Sequence, residues 1–187
     1  MKHRTTPHWQ ALALGACALG LSLAAHAGPA EDFAAAESEF ARGDLKAAMT
    51  LWRKAAEAGH ALSMAHMADI LDKSDYDEEA VQWYRKSAEQ GEAAGIFGLG
   101  QMYAKGEGVP KDGAKAFDYV LQAARKNNVD AAIMLVGVYR NGGLGQPANL
   151  AEADAWEAKL VQLVPGYQTE AARKAAAAAA PKKKGAK

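Results

Sequence analysis

"GLGQMYAKGEGVPKDGAKAF", residues 98–117, decides how the chain is read. Five glycines and a proline stand among small apolar and charged residues, which suits either a phosphate-cradling loop or the punctuation between two helices. Gly108 and Gly113 have the four-residue gap of a phosphate loop. However, Ala114 and Lys115 follow where that chemistry needs Lys and then Ser or Thr, and no buried strand precedes them. Helix punctuation fits better. Gly106 and Gly108 follow the last helical residues, Pro110 prevents the helix from continuing, and Asp112 is placed to cap the next one.

Laying the chain against itself shows why such punctuation recurs. Leu99 and Tyr103 match Leu135 and Tyr139 at a spacing of 36, and Met67 and Leu71 match Leu99 and Tyr103 at 32. "AAEAGHA" (55–61) becomes "SAEQGEA" (87–93), and Asn127 follows Gly91 by 36, both residue types suiting a left-handed helix end. Each unit reads as two helices. Ile96, Leu99, Gly100 and Tyr103 form one face of the first, repeated by Ala132, Leu135, Val136 and Tyr139. Ala80, Trp83, Tyr84, Ser87 and Ala88 form a stripe on the second, repeated at Ala48–Ala56 and Ala116–Ala124. Small residues alternating with large ones let neighbouring helices approach closely and interlock. "RNGGLGQPANLAEA" occupies the inter-helix position in the next unit, while "DKSDYDEEA" before it is four residues shorter.

These motifs resemble the SEL-one-like repeat (SLR), a relative of the tetratricopeptide repeat. Its pattern "LGxMYxxGxGVxxDxxKA" then "AxxWYxKAAEQG" is met by Leu99-Gly100, Met102-Tyr103, Gly106, Gly108-Val109, Asp112 and Lys115-Ala116. Trp83-Tyr84-Arg85-Lys86 through Gly91 meets its second half. The resemblance covers residues 33–163 and implies an all-α, right-handed superhelical solenoid of antiparallel helix pairs. Residues 28–166 are expected to form this repeat domain. The last unit departs from the pattern, with Glu157 where Tyr84 or Val120 would pack. A terminal unit facing water explains that charge.

The chain ends read differently. Lys2, His3 and Arg4 precede an apolar run at residues 11–25, and Ala25-His26-Ala27 offers the small residues of a cleavage site. Residues 1–27 therefore read as a secretory signal cut after Ala27, which predicts a periplasmic or secreted protein. Cys17 sits in a loose lipobox, but the chain stays apolar after it, which argues against lipidation. Cys17 is the one cysteine of the chain, so cleavage leaves neither a disulfide nor a thiol nucleophile. Residues 28–172 carry 14 Lys/Arg against 22 Asp/Glu, a net of −8, which disfavours nucleic acid as a partner of the body. Residues 167–187 form an Ala/Lys-rich end, expected to be helical up to Pro181. Lys182, Lys183 and Lys184 in its tail suit contact with an anionic envelope surface, or simple solubility.

Candidates for catalysis are few. Ser38, Thr50, Ser63, Ser74, Ser87 and Thr169 fall in no nucleophile motif, and beyond the leader His60 and His66 remain, with no His-Glu-x-x-His. The resemblance associates penicillin-binding or β-lactamase-like chemistry with members carrying a cysteine pair per repeat, which this chain lacks. His66, Asp69 and Asp72 share one helix at ligand spacing, and Asp77, Glu78 and Glu79 stand together. A polar helix face and acids at a helix start account for both sets. No metal, cofactor or catalytic residue is therefore expected.

The resemblance instead implies that the first helices line an inner surface, with Ala65, Asp69 and Asp72, then Phe97 and Gln101, then Ile133 and Arg140 along it. Phe97 and Ile133 would receive an apolar side chain of a peptide, or pack between units; Gln101 and Arg140 would bond its polar groups. Trp83, Tyr119 and Trp156 fill the large-residue position of the second-helix stripe and read as core rather than as a sugar-stacking ladder. The expected function is a non-catalytic exported scaffold for a protein or peptide in envelope assembly or signalling. A cell-wall-directed enzyme and an envelope protein held by its basic tail are the alternatives.

Overall fold

The structure, a computed structural model, describes residues 28–179. The expected leader, its cleavage point, Cys17 and the tail lysines 182–184 lie outside the described residues. Nine helices form within them: α1 (Pro29–Ala41), α2 (Leu45–Glu57), α3 (Ala61–Asp72), α4 (Asp77–Glu89), α5 (Ala93–Lys105), α6 (Gly113–Arg125), α7 (Val129–Asn141), α8 (Leu150–Leu163) and α9 (Glu170–Ala179). An isolated bridge joins Gly143 and Gln146 in the α7–α8 loop.

Asp112 caps α6 as the sequence predicts, and side chains cap several other helices. Asp112 Oδ1 accepts from the Lys115 amide at 3.0 Å at the start of α6. Asn128 accepts from Ala131 at 2.8 Å, Asp44 from Ala47 at 2.9 Å, and His60 Nδ1 from Ser63 at 3.2 Å. Each bond satisfies an amide that lacks an intrahelical partner, an arrangement worth about 1 kcal/mol. The amide of Asp112 also reaches back to the Tyr103 carbonyl at 2.9 Å, closing the glycine stretch into a loop. Gly106 ends α5 at φ 86°, in the left-handed region that glycine enters without steric cost. The loop is punctuation.

Helices pack in chain order as pairs, α1 with α2, α3 with α4, α5 with α6 and α7 with α8, and each pair packs on the next. The first helices α3 and α5 also touch directly. Three cores follow one another along the stack. Trp52, Met64 and Met67 centre the first, Val81, Tyr84, Leu99 and Met102 the second, and Phe117, Val120, Leu135 and Leu160 the third. Trp83 packs against both the first and second cores, and Tyr119 against the second and third. Trp156 packs on the third. The aromatic ladder therefore joins neighbouring units, as the core reading expected, although its members are only partly buried.

One expectation fails. Glu157, predicted to face water, is 3% exposed. Arg140 Nη1 of α7 lies 3.3 Å from its Oε1, and the Glu170 amide donates to both of its carboxylate oxygens at 3.1 and 3.3 Å. A charge at an inter-unit position is tolerable when a guanidinium and a helix N-terminus close over it. Glu170 itself pairs with Arg140 and, at 2.5 Å, with Lys174, whereas residues 171–175 of α9 are exposed. Polar contacts at its first residue hold α9 to the end of the stack.

Candidate functional site

The end of α3, one side of α5 along its length and the start of α7 line a groove of about 480 Å³. Asp69 and Asp72 line it from α3, Phe97, Gln101 and Lys105 from α5, and Asp130 from α7, with Lys73, Ala94, Gly98 and Asn128 completing the wall. It lies between the first helices of three successive units and holds four of the seven residues expected along their inner surface.

Its geometry depends on Tyr84, which is fully buried beneath it. The Tyr84 hydroxyl donates to Asp69 Oδ1 at 2.5 Å, tying α4 to the groove wall. Burial, and next the nearby Asp69 charge, push the Tyr84 phenol far above its ordinary value, so it remains a donor. Gly98 makes this route possible: a Cβ there would lie 2.1 Å from Tyr84 Cε1. On the same wall Lys105 Nζ lies 3.5 Å from Asp72 and 2.8 Å from Glu107. The hydrogen bond to Glu107, against some desolvation, holds the Lys105 ammonium above its usual pKa. Asp69 and Asp130 pair with no Lys or Arg among the described residues.

The predicted residues separate into three groups. Asp69, Asp72, Phe97 and Gln101 meet in the groove. Phe97 does both things foreseen for it, lining the groove and packing against the third core. Ile133 is 46% exposed but outside that groove. Ala65, placed on the inner surface by the resemblance, is 1% exposed, because α3 is packed between α2, α4 and α5 and closes over it. It presents nothing to a partner. Arg140 is also corrected: its guanidinium is held by Glu157, Glu170 and, at 3.7 Å, Asp154, which takes it to the end of the stack.

Sequence reasoning missed Lys73, Lys105, Asn128 and Asp130. The last two begin a helix of the next unit, and their signal was the cap position, which brings each first helix's start beside its predecessor. His66, Asp69 and Asp72 do not converge. The His66 ring stacks on Trp52 at 4.9 Å with its Nε2 3.7 Å from Glu37, while Asp69 turns to Tyr84 and Asp72 to Lys105. Among the described residues no group of three potential ligands is placed to hold a metal ion. The hydroxyls serve structure: Ser87 Oγ donates to the Ala61 carbonyl at 2.8 Å, and Ser63, fully buried, bonds the capping His60 at 2.9 Å.

Comparison with known proteins agrees with this architecture. Residues 38–60, 62–92 and 93–128 match the Sel1 repeat. Similar curated proteins are an exopolysaccharide production negative regulator of Rhizobium leguminosarum bv. viciae, 32% identical over 88 residues, and one of Rhizobium meliloti, 35% identical over 80 residues. Those matches cover 42% and 37% of this chain but only 33% and 30% of the regulators, so the chain spans about a third of their length. Among solved structures, a Sel1 repeat protein from Oxalobacter formigenes superposes with a TM-score of 0.64 at 27% identity, covering 73% of this chain and 59% of that one. A protective antigen of uropathogenic Escherichia coli with an SLR fold gives 0.62 at 28% identity, over 71% of this chain and 30% of that one.

Proposed function

Because this chain is a Sel1-repeat protein, we propose that it is a non-catalytic scaffold, exported to the cell envelope or beyond, which holds a segment of a partner protein in the α3–α5–α7 groove. One observation carries the reading. Asp69, Phe97 and Gln101 bring a carboxylate, an aromatic ring and an amide to one concavity that the repeat framework itself does not fill. Most of its lining side chains are polar or charged and Phe97 is its one aromatic ring, a lining that suits an extended polar segment anchored by one side chain. The similar proteins named as negative regulators of exopolysaccharide production, matched over about a third of their length, support a regulatory role for the scaffold.

The test is a crosslinking capture from envelope extract with the purified protein and with a Phe97→Asp/Gln101→Arg variant that retains its helical circular dichroism. One identified protein bound by the first and lost from the second supports the proposal. The same protein captured equally by both contradicts it. Export is checked separately, by fractionating cells and determining the N-terminal residue of the mature chain. Gly28 at the terminus of a periplasmic or secreted protein agrees with it, and an intact Met1 in the cytoplasm does not.

A further inference from the structure

Resting on the reading of this groove as a partner site, we infer that its anchor is one lysine or arginine side chain of an extended partner segment, with its stem on Phe97 and its cationic head on Asp69. The first ground is an uncompensated carboxylate. Asp69 is half-buried and its one hydrogen-bond partner among the described residues is the neutral Tyr84 hydroxyl. That bond fixes one oxygen and leaves the negative charge unanswered where water is already partly excluded.

Its neighbours do not answer it. Lys105 is committed to Asp72 and Glu107, Lys73 lines the groove from an exposed position and makes no ion pair with Asp69, and Asp130 adds a second, exposed carboxylate at the start of α7. A bound ammonium or guanidinium would complete the set. An acidic segment would face Asp69 and Asp130 with like charge, and a wholly apolar one would bury Asp69 without compensation.

The second ground is the ring. Three partly buried aromatic rings elsewhere are covered by the chain's own lysines: Lys86 lies 4.3 Å from the Trp83 ring centre, Lys159 5.0 Å from that of Trp156, and Lys115 5.3 Å from that of Tyr103. Phe97 has no such lysine among the described residues. A ring and a carboxylate in one concavity, both lacking a cation, match the amphipathic build of a long basic side chain.

The third ground is preorganisation. Tyr84, Gly98 and Asp69 form a fixed support, so little freedom is lost when a cation docks. The net charge of −8 over residues 28–172 also favours encounter with basic segments.

The experiment pans a phage-displayed library of random dodecapeptides against the immobilised full chain and measures synthesised winners by calorimetry. We expect Lys or Arg to be enriched at one position. Asp69→Asn should weaken such a peptide at least tenfold, the scale of one charge-assisted hydrogen bond. Tyr84→Phe, which unpins Asp69 without charging or emptying the groove, should weaken it several-fold. Asp69→Lys should redirect the panning to Asp or Glu. Each variant is used only with wild-type circular dichroism, and Tyr84→Phe keeps the idea testable if Asp69 variants fail to fold. Winners lost on Gln101→Arg but free of basic enrichment and indifferent to Asp69→Asn overturn the anchor and leave the groove reading intact. Winners indifferent to both Gln101→Arg and Phe97→Glu overturn the groove reading itself, as does a panning that selects nothing.

Discussion

Replacing Gly98 by alanine tests whether the units interlock through close backbone approach. The added Cβ would lie 2.1, 2.4 and 2.5 Å from Cε1, Cδ1 and Cζ of the Tyr84 ring. Ordinary carbon contacts are about 3.5–4.0 Å, so the ring must retreat by more than an ångström. It has no room, being 1% exposed and tied by its hydroxyl to Asp69. Overpacking a closed core costs about 1–3 kcal/mol, and contacts this short put the cost at the upper end. Alanine recovers about 1 kcal/mol of helix propensity over glycine. The clash wins, with a net loss of about 2 kcal/mol, or roughly 4–8 °C in melting temperature for a chain of this size.

Gly137 provides the internal control. It lies mid-helix in α7, exposed, with nothing within 4 Å of where its Cβ would be. The same substitution there should stabilise by about 0.5–1 kcal/mol, raising the melting temperature by roughly 1–4 °C. Thermal melts followed by circular dichroism read both variants. Gly98→Ala melting at or above wild type would refute the interlocking geometry. Tyr84→Leu in the Gly98→Ala background should recover part of the loss, and strictly additive effects would argue against direct contact.

The polar junction at the end of the stack gives two further tests. Arg140→Met should lower the urea midpoint because it strands the Glu157 carboxylate, and adding Glu157→Val, which restores the residue type found at Val120, should recover it. A double variant weaker than the single one would count against a buried pair. The Glu170 carboxyl is held below its ordinary value, first by the Lys174 hydrogen bond and also by the Arg140 charge. A depressed carboxyl contributes stability that is complete above its unfolded pKa and lost as pH falls through its lower folded value. Glu170→Gln should therefore melt below wild type at pH 7, with the gap closing as pH falls and the carboxyl takes up its proton; a gap that stays constant through the acid range would exclude the carboxylate as the cause.

Local patterns made the helix pairs legible. Gly91 and Asn127, aligned in the sequence at a spacing of 36, both adopt left-handed φ, 78° and 67°. Asp112 caps the helix it was expected to cap because capping is decided within three residues. The groove was half legible. Asp69, Phe97 and Gln101 follow from helical spacing plus the inner-surface offset that the resemblance implied, but how far each helix buries its inner face depends on its neighbours in space. Hence Ala65 and Ile133, in equivalent register, end at 1% and 46% exposure. Glu157 and Arg140 were misplaced for the same reason. Their partnership spans 17 residues and two helices, and its third member, Glu170, lies a further 13 residues on. A charge at a core position reads as solvent-facing until its partner is known.

The central claim, that the groove and not the outer wall meets the partner, is tested most directly by photocrosslinking in the cell. A benzophenone side chain would replace Gln101 in the groove or, in a second strain, Asp118, which is exposed on α6 and outside the groove. The account predicts a discrete adduct from position 101 and none from position 118. The reverse pattern, or the same adduct from both positions, would contradict it.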